Sequence, residues 1–106
     1  MNIIPAHELP LIDSRVKPGV SVLEFGDKRN PSGIYRDWYV SRGAQYQCVD
    51  INGRHGAHAL DVRKPFDLGL FDVVTNFGFS EHVSVQEPFW ENTYRAARVG
   101  AVIVGT

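Results

Sequence analysis

The chain has 106 residues, 43% hydrophobic and 22% charged, a length that holds one domain and a composition that supports a packed core. Eleven Lys and Arg against 12 Asp and Glu leave a formal charge of −1, so the basic excess that tracks nucleic-acid phosphates is missing. Apolar runs such as Ala101 to Val104 are far shorter than the roughly 18 residues of a membrane span; with no leader pattern at the start and a single Cys48, a cytoplasmic setting is expected.

Residues 1–19 hold Pro5, Pro10 and Pro18 and read as an extended arm or short broken helix that packs across the core. The domain proper is expected from 20 to 106. Val20-Ser21-Val22-Leu23-Glu24-Phe25 is short, rich in β-branched residues and ended by Gly26, the pattern of a strand covered on both faces. Asn30-Pro31 supplies an N-cap and a first-turn proline. Ile34, Tyr35, Trp38 and Tyr39 then fall on one stripe, so a helix is expected over about Pro31 to Arg42, closed by Gly43.

Tyr46 to Ile51 is the second strand, and His58 to Val62, beyond a glycine-flanked loop at 52–56, is a short third. Phe71 to Asn76 is the fourth, leading into the loop from Phe77 to Val83. Ser84 and Glu87 match a capping box at the start of a second helix. Its buried face is expected to be Val85, Phe89, Trp90, Tyr94 and Ala97, with Glu91 and Arg95 paired on the wet side and Gly100 ending it. Ala101 to Val104 is the final strand. Strands alternating with helices imply an α/β, Rossmann-like, mostly parallel sheet with helices on both faces. Ligands then bind at the carboxyl ends of the strands, where the loops carry Gly26, Asp50, Asp61 and Asn76.

A carboxylate at Asp50, 24 residues after Gly26, can accept two hydrogen bonds from a ribose diol, so nucleoside binding is the general inference. A dinucleotide site needs Gly-x-Gly-x-x-Gly for backbone approach to a pyrophosphate. The turn here reads Gly26-Asp27-Lys28-Arg29-Asn30, with one glycine and an anion that repels phosphate, so a nicotinamide-dependent oxidoreductase is disfavoured. The plainer readings stand beside these: Asp50 and Asp61 as strand-end turn residues, Glu24 as a carboxylate satisfied by backbone N–H groups, and Phe77 as core packing. His55 and His58 lack a third partner at metal-ligand spacing, and Cys48 lies within a strand, so no zinc site is expected.

From Val20 onward the chain resembles the class I S-adenosylmethionine-dependent methyltransferases. Val22-Leu23-Glu24-Phe25-Gly26 resembles the first motif of that family, Cys48-Val49-Asp50-Ile51 the second and Leu60-Asp61-Val62 the third. The run Asp72 to Phe77, with Glu81-His82-Val83, is similar to its fourth strand and following loop. The resemblance implies a sheet order of 3-2-1-4-5 and S-adenosylmethionine as cofactor. It implies contacts from Glu24 and Gly26 to the methionyl part and from Asp50 to the ribose. Asp61 and the Val62 N–H would meet the adenine, with Phe77 or Phe79 over the ring or packed in the core, and Asn76 is a further candidate cofactor-binding residue. The activity implied is methyl transfer to a small-molecule acceptor, with His82 as a candidate general base whose plainer role is to orient its loop. A non-catalytic nucleoside-binding or interaction module is the alternative. Family members continue past the fifth strand, so a truncated domain is expected here, with homodimer formation through the edge at Ala101 to Val104.

Overall fold

The computed structural model describes residues 9–26, 34–50, 58–76, 83 and 86–105. In chain order the elements are α1 (Leu9–Ile12), β1 (Ser21–Phe25), α2 (Ile34–Ser41), β2 (Gln45–Val49), β3 (Phe71–Asn76), α3 (Gln86–Ala96) and β4 (Ala97–Gly105). The four strands form one sheet in the order β2-β1-β3-β4, and every described pairing between them is parallel. This is an α/β fold of Rossmann-like order.

Side chains alternate across a strand, and β1 uses both faces. Val22 packs with Ile12, Val16, Tyr39, Ala44 and Val73 on the side of α1 and α2. Leu23 and Phe25 pack with Val49, Val74, Phe89 and Ala96 on the side of α3, where Phe25 meets Phe89 edge to face at 5.1 Å. Helices therefore cover both faces. Ile12 and Val16, from the segment before β1, are fully part of the first core.

The segment from His58 takes the outer place beside β2 and, among the described residues, forms a single parallel bridge, His58 to Val49. The chain then turns: the Lys64 N–H donates to the Asp61 carbonyl at 3.1 Å, and Pro65 has no N–H to extend a ladder. A full third strand is thereby corrected to one bridge.

Helix α2 ends where a glycine is needed. Gly43 has φ +80°, and a Cβ there would stand 3.1 Å from the Pro18 Cα, so both conformation and space select glycine. Residues 31–33, and the side chains of Ile34 and Tyr35, lie outside the described set, as do Ser84 and Val85. The expected face of α3 is corrected. Phe89, Asn92, Thr93 and Ala96 are buried, whereas Tyr94 is 65% exposed and Ala97 already belongs to β4. The cause is polar: the Asn92 side chain donates to the carbonyls of Val62 and Lys64, both at 2.9 Å. Arg95 turns to the Asn92 Oδ1 at 3.3 Å; the expected pair with Glu91 does not form.

Gly100, expected as the helix stop, lies within β4 at φ +84°. It falls where Phe71 faces Ala97 but Val73 faces Val102, so extra β4 residues bulge from the ladder and Val99 is fully exposed. Among the described residues no helix is long and apolar enough to cross a membrane.

Candidate functional site

In a parallel sheet the useful edge is the carboxyl one, at the point where connections leave a strand in opposite directions. Here β1 is that strand, since β2 flanks it on one side and β3 on the other. Phe25 pairs with Val49 and Glu24 with Thr75, so the register brings Gly26, Asp50 and Asn76 to one edge on three adjacent strands. Gly26 has φ +83°, a left-handed turn that glycine adopts without steric cost, and its N–H donates to the Val49 carbonyl at 2.7 Å. Asp50 is 6% exposed and Asn76 2%. The Asp50 N–H donates to the His58 carbonyl at 3.0 Å, which fastens the outer segment to the same edge.

Glu24, one step below this edge, is 1% exposed. Tyr39 from α2 and Thr75 from β3 both donate their hydroxyls to its Oε1 at 3.1 Å, and Tyr46 from β2 donates to its Oε2 at 2.9 Å. Among the described contacts, hydroxyls from three elements meet the carboxylate; the loop N–H groups that the sequence suggested as its partners lie outside the described residues. The Tyr39 and Tyr46 rings stack at 5.0 Å with 15° between planes. Burial pushes the Tyr46 phenol far above its ordinary value, and the Glu24 charge adds to the effect; the phenol stays protonated and remains a donor.

Asp61 stands apart from that arrangement. Its carboxylate accepts from the Arg63 side chain at 3.0 and 2.9 Å and from the Arg63 N–H at 3.0 Å. The Arg63 side-chain hydrogen bond is the main cause that holds the Asp61 carboxyl at about 2. Val62 is buried, in the core on the side of α3, with its carbonyl taken by Asn92. Phe77, Phe79 and His82 lie outside the described residues. Among the described residues no group of three His, Cys, Asp or Glu side chains assembles that could hold a metal.

The opposite, amino edge is stapled shut. Ser21 donates to Asp72 through both its N–H, at 3.0 Å, and its hydroxyl, at 3.1 Å, and Arg98 pairs with the other carboxylate oxygen at 3.1 Å. The Ser21 backbone hydrogen bond is the chief reason that the Asp72 carboxyl is lowered. Two shallow cavities of about 230 and 240 Å³ flank this staple; the Asp72 carboxylate on which they converge is already committed.

The sequence reading missed Tyr39, Tyr46 and Thr75 as partners of Glu24, and Asn92 as the anchor of the 62–64 turn. Part of the signal was present: residues facing each other in register share a face, and Glu24, level with Cys48, is one alternation from Tyr46. Neither a scan against family models nor a search of curated proteins finds a match to this chain.

Proposed function

We propose that the chain binds S-adenosylmethionine at its carboxyl edge and transfers the methyl group to a small-molecule acceptor. The observation that carries this reading is the alignment of Gly26, Asp50 and Asn76 on adjacent parallel strands at the switch point of a β2-β1-β3-β4 sheet. The donor set fits the cofactor in part. A bare glycine turn allows close approach of a ligand to backbone, and a carboxylate at the end of β2 suits a ribose diol. Asp61 already accepts from Arg63 through both oxygens, so an adenine amino group there would share the carboxylate with that pair.

When bound, the cofactor supplies a methyl carbon already activated by its sulfonium charge. What falls to the protein is alignment, a contribution of roughly 7 to 11 kcal/mol at most. Gly26 gives the backbone at which the methionyl end rests. Asp50 fixes the ribose, and Asn76 ends the neighbouring strand at the same level. A strong base among these residues is not required by such a transfer.

Calorimetric titration with S-adenosylmethionine and S-adenosylhomocysteine, run beside NAD and repeated with Asp50→Ala, tests the reading. Saturable binding of the two sulfur nucleosides is expected, absent for NAD and weakened at least tenfold in Asp50→Ala, the loss of about 1.4 kcal/mol or more. Absence of binding by folded protein overturns it and leaves a nucleoside-independent module.

A further inference from the structure

Glu24 spends a buried carboxylate on hydroxyls from α2, β2 and β3, partners 15, 22 and 51 residues away in sequence. A charged acceptor strengthens each of these bonds relative to neutral pairs, and each partner belongs to an element that borders the carboxyl edge. Thr75 directly precedes Asn76, and Tyr46 lies on the strand that delivers Asp50. Glu24 itself lies two residues before Gly26. We propose that Glu24 is a positioning residue: by gathering Tyr39, Tyr46 and Thr75 it fixes the carboxyl ends of β1, β2 and β3 relative to α2, and so sets how well that edge receives a ligand without touching the ligand.

The inference deepens the proposed function and, for its affinity arm, rests on it. An ordinary core residue would stabilise the whole sheet evenly, and apolar packing would achieve as much. A carboxylate with oxygens shared among three elements is directional, because each donor must lie along a lone pair. Loss of the charge therefore acts first at the level of Gly26 and Asp50, and last at the amino end, where Ser21, Asp72 and Arg98 form an independent clamp.

Native-state amide exchange and calorimetry on the full 106-residue chain, in the wild type, Glu24→Gln and Tyr39→Phe, give the test. In Glu24→Gln the amides of Gly26 and Asp50, which bond the Val49 and His58 carbonyls, are expected to exchange about tenfold faster relative to those of Gln45 and Gly19 at the amino end, a local opening. S-adenosylmethionine affinity falls about tenfold in Glu24→Gln and by a smaller factor in Tyr39→Phe, which keeps the stacked ring. Equal acceleration at both ends means a merely structural carboxylate and overturns the proposal. Affinity lost in Glu24→Gln with Tyr39→Phe and the edge amides unchanged means direct contact, and also overturns it. If the wild type binds neither sulfur nucleoside the proposed function fails, and the exchange pattern alone decides the positioning role. If Glu24→Gln does not fold, Tyr39→Phe and Tyr46→Phe carry the same comparison.

Discussion

Glu24 and Asp61 are both carboxylates in segments that border the carboxyl edge, and the chain holds them by opposite means. Asp61 is met by a guanidinium and a backbone N–H only two residues on, near solvent, where an ion pair contributes little to stability. Glu24 is met by neutral hydroxyls brought from three other elements, away from water, where a lost partner is costly. The first arrangement organises one turn. The second organises the junction of a helix and three strands, so the sequence distance of the partners matters more than their charge.

The sharpest way to break this contrast is Glu24→Ala, which removes the acceptor of three hydroxyls and leaves a cavity. A loss of about 3 kcal/mol or more is expected in urea unfolding, against only a small downward shift in midpoint for Arg63→Ala at neutral pH. Asn92→Ala comes next, since it strips the donor from the Val62 and Lys64 carbonyls; a cost of about 1 to 3 kcal/mol is expected by the same method.

How far these sites were legible in the sequence differs along the chain. The strand cores of β1, β2 and β3 were plain, because Val22-Leu23 and Val73-Val74 are β-branched and apolar runs bounded by turn residues, and the parallel order followed from alternation with helices. The third strand is the exception: five residues from His58 to Val62 look strand-like, but the Asp61 to Arg63 turn stops pairing after one bridge among the described residues. The face of α3 is not legible in the sequence because two of its buried residues, Asn92 and Thr93, are polar, and a hydrophobic stripe cannot reveal a side chain buried for its hydrogen bonds. Glu24 stands out in the sequence as a carboxylate inside an apolar strand, but its partners do not. Tyr39 reaches it through the rotation of α2 and Thr75 through the register of β3, neither of which is written in local sequence.

Smaller pH effects sharpen the comparison. The Tyr46 phenol titrates above its unfolded value, so its share of stability is intact below about pH 10, the unfolded tyrosine value, and is lost as pH rises beyond it. Alkaline unfolding followed by tyrosinate absorbance is expected to shift in Tyr46→Phe. Asp61 titrates below its unfolded value, at about 2; its small share is present above the unfolded carboxylate value of about 3.9 and fades as pH falls towards 2. In Arg63→Ala, NMR titration is expected to show the Asp61 carboxyl returning upward while the fold is unchanged.

The central claim is that ligand recognition belongs to the carboxyl edge. Amide chemical-shift mapping during titration with S-adenosylmethionine tests it most directly. Saturable shifts centred on Gly26, Asp50 and Asn76 are expected, with Ser21, Asp72 and Arg98 at the other end unmoved. Shifts centred on Ser21, Asp72 and Arg98, or none at all in folded protein, would contradict it.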